Sequence, residues 1–149
     1  MSYEITGYRP INKFQGLDFD PKWFTTARDT KKQTGHYCSY HFGTKSYNEF
    51  WAEEYKRCRD GYTVNGYTIT GDHYFFLNYY QLMNTAETKK SGEGRYMDFP
   101  NFLVSQYEYL HYIELCRRTR KNAALMKARG LGFSEMNASI VANLYSVRR

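Results

Sequence analysis

Ala123-Ala124-Leu125-Met126-Lys127-Ala128-Arg129-Gly130-Leu131-Gly132-Phe133-Ser134 is the stretch on which the reading of this 149-residue chain turns. A short apolar run, Ala123–Met126, meets a glycine-containing turn. After the turn, Ser134–Tyr145 places Ala138, Val141, Ala142 and Tyr145 on one helical face. Strand, glycine turn and helix in this order open an α/β fold, and small residues on such a helix permit close approach to a sheet.

Upstream, residues 101–121 read as one helix, with Leu103, Tyr107, Leu110, Ile113 or Glu114 and Arg117 at three- and four-residue steps, acids early and bases late. Pro100 stands where that helix would begin. Arg95–Phe99 has extended character, and Asn84–Gly94 has the polar composition of a loop. Tyr62-Thr63-Val64 and Tyr67-Thr68-Ile69 flank Asn65-Gly66, the dipeptide best suited to a type I′ hairpin. His73–Leu77 and Tyr79–Met83 are aromatic-rich, which extends the hairpin to an expected three-stranded antiparallel unit. Ser46 and Glu49 have capping-box spacing for a helix over Tyr47–Arg59. Before it, Gly7, Pro10, Gly16, Pro21, Gly35 and Gly43 interrupt every apolar run. The chain therefore divides into an irregular arm (1–45), a helix with antiparallel strands (46–100), and a helix, strand, glycine loop and helix (101–149).

Sixteen Tyr, ten Phe and two Trp supply enough apolar area for a core, which excludes disorder of the whole chain. No run approaches the ~18 apolar residues of a membrane span, and Met1–Pro10 lacks the features of a signal peptide. Cys38, Cys58 and Cys116 are odd in number and widely spaced, which suits a reducing, cytosolic setting rather than a disulfide scaffold. The formal net charge is +6, and residues 101–149 hold 8 of the basic side chains against 3 acids. There Arg117, Arg118, Arg120, Lys121, Lys127 and Arg129 follow one another with no acid between Glu114 and Glu135. Such a cluster suits polyanions; the plainer account of Arg117–Lys121 is a solvated helix end that complements the helix dipole.

A phosphate-binding loop is commonly Gly, four residues, then Gly-Lys-Ser/Thr: backbone N–H groups wrap the phosphates, the lysine reaches the terminal ones and the hydroxyl holds Mg²⁺. In Lys127–Ser134 the second glycine (Gly132) and the hydroxyl (Ser134) are in place, Phe133 stands at the lysine position, and Lys127 replaces the first glycine. The positive charge is relocated to the start of the loop, from where it would extend across the mouth toward phosphates at the N-terminus of the following helix. An ordinary strand-to-helix turn with exposed bases satisfies the same pattern.

This octapeptide resembles the variant loop of the large terminase subunits of tailed bacteriophages, the ATPase motors that package DNA. A second block is similar to the segment that precedes their ATPase core: Phe50-Trp51-Ala52-Glu53-Glu54, Arg57-Cys58, Gly61-Tyr62-Thr63 and Ile69-Thr70-Gly71-Asp72-His73-Tyr74-Phe75-Phe76-Leu77-Asn78-Tyr79. The resemblance covers about residues 40–149. It implies ATP and Mg²⁺ as cofactors and Lys127, Ala128, Arg129, Gly130, Leu131, Gly132, Phe133 and Ser134 as the nucleotide loop. Within that loop, Lys127 is implied as the phosphate lysine, Gly132 as the close-approach glycine, Ser134 as the Mg²⁺ hydroxyl and Arg129 as a second phosphate or coupling arginine. Gln106 is similar in placement to the glutamine these motors use near adenine; an exposed helix glutamine is the ordinary alternative. The fold class expected is α/β, the start of a P-loop core preceded by an α+β lead-in with a small antiparallel sheet.

By the same resemblance the partners are double-stranded viral DNA, the small terminase subunit and the portal protein. Homo-oligomers are implied only for the complete motor, in the host cytoplasm and transiently at the procapsid portal. After Ser134 the only acid is Glu135, so no paired carboxylates follow to hold metal and position water. The expectation is therefore the N-terminal fragment of a motor, inactive as an ATPase alone. The competing reading is a non-catalytic module that binds nucleic acid or a partner through its basic C-terminal third.

Overall fold

The computed structural model describes residues 3–11, 19–85, 95–127 and 132–147. Among the described residues the chain is mostly helical, with five α-helices and two two-stranded antiparallel sheets. No parallel strand pair occurs among them, so the expected opening of a parallel P-loop sheet is not seen. No helix among them is long and apolar enough to cross a membrane.

The arm expected to be irregular holds 3₁₀ turns at Tyr3–Thr6 and Pro21–Phe24 and the helix α1, Thr26–Thr34. α1 ends where Gly35 turns left-handed (φ 81°) and its N–H reaches the carbonyl of Lys31. α2 spans Lys45–Asp60; its cap is Thr44, whose hydroxyl accepts from Tyr47 N at 3.3 Å, so the helix starts before Ser46 rather than at it. β1 (Tyr62–Val64) and β2 (Tyr67–Ile69) pair as expected, with Asn65 (φ 49°) and Gly66 (φ 77°) in the left-handed region that a type I′ turn requires.

His73–Leu77 lies in α3, Gly71–Asn78, and not in a strand. Thr70 is extended and its hydroxyl accepts from His73 N, which starts the helix. Seven of its eight residues are buried, so its hydrophobicity carries no helical period. With α3 in the way, the three-stranded unit does not form. β3 (Leu82–Thr85) pairs instead with β4 (Arg95–Asp98), so the loop expected at Asn84–Gly94 starts later; residues 86–94 lie outside the described residues.

α4 runs Val104–Arg118 and is closed by Arg120 (φ 55°), with Lys121 N bonded to Cys116 O and Arg120 N to Arg117 O. Residues 121–127 are exposed and without regular structure, so Ala123–Met126 is not a strand. No described strand lies beside it to supply ladder partners, and alanine is a poor strand former. α5 spans Phe133–Ser146.

α3 is the axis of packing and contacts α1, α2, α4 and α5. On one side Phe24, Ile69, Tyr74, Leu77 and Tyr107 form a core; on the other Phe76, Leu110, Phe133, Met136 and Ile140 form a second. Asn78, fully buried at the end of α3, donates to the carbonyls of Phe24 and Tyr74 and accepts from Arg28 N. Tyr107 clamps the N-terminal segment: its hydroxyl donates to Arg9 O at 3.1 Å and accepts from Arg9 N at 3.2 Å.

Two histidines are buried in this packing. His73 stacks on Phe102 at 5.0 Å, and neither ring nitrogen has a hydrogen-bond partner among the described residues. Burial, with the neighbouring His111, pushes its pKa down to about 3. Burial also lowers His111, against hydrogen bonding to the backbone of Tyr107 and Thr68 and the charge of Glu114. The unfolded chain takes up protons at these residues below pH ~6.5, whereas the folded chain resists them, so stability falls as the pH drops from ~6.5 toward 3. The slope expected is up to about 1.4 kcal/mol per pH unit for each histidine. Urea midpoints at pH 7 and pH 5 check this, and His73→Phe should flatten the acid limb; equal midpoints for the native chain would contradict it.

Candidate functional site

α5 begins at a glycine because the backbone there is left-handed. Gly132, with φ 69° and ψ 12°, is the N-cap and offers no side-chain cap to the first-turn N–H groups. A Cβ on Gly132 would meet open space, so the backbone angle, not crowding, favours glycine. Phe133, at the position a lysine usually holds, is buried and packs edge-on against Tyr109 at 4.7 Å. It is a core residue that anchors the start of α5. Ser134 is exposed in the first turn.

Lys127 is exposed, and its Nζ lies 5.9 Å from the centroid of the Phe133 ring. The two ends of the octapeptide are thus brought together. Ala128, Arg129, Gly130 and Leu131 lie outside the described residues. Glu135, also in the first turn, complements the helix dipole and accepts a hydrogen bond from Tyr80 Oη at 2.9 Å. Burial and that carboxylate raise the Tyr80 pKa.

Beside this helix start is a cavity of about 420 Å³, lined by Tyr8, Ser105, Glu108, Tyr112, Leu125 and Phe133 among others. Its walls are mainly aromatic, with the hydroxyl of Ser105, three tyrosines and one carboxylate, Glu108. Gln106, one residue from that lining, is buried, and its Oε1 accepts from Leu103 N at 3.2 Å. The amide caps its own helix.

The basic cluster is less open in space than in sequence. Arg117 pairs with Asp72 at 2.9 Å and with Glu114 at 2.7 Å; Arg118 pairs with Glu114 at 2.8 Å and donates to Ile5 O. Arg120, Lys121 and Lys127 remain exposed. Asp72 is buried in the first turn of α3, and its other oxygen accepts from Asn143 Nδ2 of α5, which also donates to Cys58 O of α2. Four helices meet at this carboxylate.

A second buried carboxylate is Glu54. It accepts from Tyr74 Oη at 2.8 Å, Tyr79 Oη at 2.5 Å and Arg57 at 2.9 Å. The only signal for either acid was a charge inside or beside an aromatic-rich run. No group of three His, Cys, Asp or Glu among the described residues is arranged to hold a metal ion. Comparison with protein-family models, with curated proteins and with solved structures returns no significant match.

Proposed function

We propose that this chain is the N-terminal part of a phage terminase large subunit, and that Lys127 and the start of α5 form its ATP-phosphate site. The carrying observation is the return of Lys127 to the first residue of α5, 5.9 Å from the Phe133 ring. That residue opens a helix whose N-cap, Gly132, supplies no side-chain cap among the described residues, and a cation near an uncapped helix start is a combination suited to a polyphosphate. The exposed Ser134 hydroxyl is the group that would hold Mg²⁺, and the neighbouring aromatic cavity has room for a base. Mg²⁺ would screen the phosphate charge. Lys127 orients the polyphosphate, and the buried Phe133 fixes the helix start against which it lies.

In this reading duplex viral DNA, the small terminase subunit and the portal are partners of the assembled motor, at work in the host cytoplasm and at the procapsid. The proposal for this chain is nucleotide binding. Glu135 is the only acid after Ser134, and it is engaged with Tyr80. The competing module, a basic surface for nucleic acid, has less support, since Arg117 and Arg118 face internal carboxylates.

Lys127→Ala should weaken Mg-ATP binding about 10- to 100-fold, the range of one charge-assisted contact, while leaving duplex DNA affinity unchanged. Calorimetric titration of both proteins with Mg-ATP and with a short duplex decides it. Equal ATP affinity in the variant, or none in the native chain, would refute the nucleotide site.

A further inference from the structure

Across the molecule from Lys127, the C-terminal end of α5 closes a second cavity against α2 and α3. Its volume is about 200 Å³, and Trp51, Glu54, Tyr55, Phe75, Tyr79 and Val147 line it. The rings form a box: Trp51 lies 6.2 Å from Tyr55 and 6.4 Å from Tyr79, and Phe75 lies 6.0 Å from Tyr79. Ring faces are electron-rich and attract cations.

Two further features carry the same sign. Glu54 stands in the lining, with Glu53 beside it and Arg57 as the ion-pair partner of both, leaving one negative charge in excess in this group of three. The last turn of α5, at Ser146 and Val147, presents the negative end of a helix dipole. Burial and the adjoining Glu54 carboxylate, which the Tyr79 hydroxyl contacts directly, raise the pKa of that phenol.

The hydrogen-bonding state of Glu54 narrows the ligand. Its two oxygens already accept from Tyr74, Tyr79 and Arg57. A primary ammonium or a guanidinium would bring N–H donors that need acceptors; a quaternary ammonium brings charge and apolar surface with no N–H to satisfy.

We propose that the box formed by Trp51, Tyr55, Phe75 and Tyr79 over Glu54 is a binding site for a quaternary ammonium group. The site is separate from the phosphate loop and does not depend on it. Choline is the probe, because it is a quaternary ammonium small enough for a cavity of about 200 Å³.

The test is a calorimetric titration of the 149-residue chain with choline and with 3,3-dimethyl-1-butanol, its neutral isostere. Choline should bind at least about tenfold more tightly, the margin expected of a partly desolvated cation–π site. Glu54→Gln should narrow that margin. Tyr55 is 54% exposed, so Tyr55→Ala should fold normally and still bind choline several-fold more weakly. Equal binding of the isostere would reduce the box to an apolar pocket, and absence of choline binding, or an unchanged affinity in Tyr55→Ala, would overturn the proposal.

Discussion

Gly71→Ala is expected to destabilise the protein by about 3 kcal/mol or more, the upper range for overpacking. A Cβ at Gly71 would stand 2.3 Å from Cys58 O and 2.8 Å from both the carbonyl carbon and oxygen of Arg59. These are backbone atoms in the last turn of α2, so no side chain can swing aside. The Cys58 carbonyl is held in turn by Asn143 Nδ2 at 2.9 Å, and a shift of α2 would break that bond too. Gly35→Ala makes the control. Gly35 is left-handed (φ 81°) but a Cβ there meets nothing within 4 Å, so its cost should be only the ~1–2 kcal/mol of backbone strain. Urea unfolding of the two variants separates crowding from strain, and similar midpoints would show that α2 and α3 approach less closely than described.

Arg117→Ala should cost about 3 kcal/mol, through the carboxylate it leaves behind. The Asp72 side chain is 1% exposed and faces Arg117 at 2.9 Å. The guanidinium keeps 32% of its side chain in water, which places the cost at the lower end for a broken buried pair. Glu114 is less affected, since Arg118 holds its other oxygen at 2.8 Å. The double variant Asp72→Asn with Arg117→Met should recover much of the loss, because it removes the buried charge together with its partner. A single-variant cost below about 0.5 kcal/mol would place the pair among ordinary surface bridges.

These two positions show which parts of the fold the sequence made legible. The Asn65-Gly66 hairpin was readable because its chemistry is complete within a few residues. α2 and α4 were readable because each has one exposed and one buried face; α5 was readable as a helix, but Ala138, Val141 and Tyr145, the face read as inward, are exposed, and Met136, Ile140 and Asn143 are buried instead. α3 was not, because burial on nearly every side erases the period that distinguishes helix from strand. Ala123–Met126 is apolar like a short buried strand, but half of it is alanine and it has no partner among the described residues, and pairing is a tertiary event. At the candidate phosphate site, Lys127, Gly132 and Ser134 were legible as a pattern, whereas the burial of Phe133 against Tyr109 was not. The Arg117 cluster looked like free charge because Asp72, its main partner, lies 45 residues away.

The clamp between Tyr107 and Arg9 joins residues 98 positions apart. During synthesis the first turn of the chain emerges long before the hydroxyl that will hold it, and Arg118, which bonds to Ile5 O, comes later still. Local units such as the hairpin and α2 can form as they appear, but the N-terminal segment has to wait for α4. The segment around Tyr8 and Arg9 is thus put in place only after residues that follow it by about a hundred positions, and until then the aromatic surface it covers, Tyr107 included, stays open to solvent.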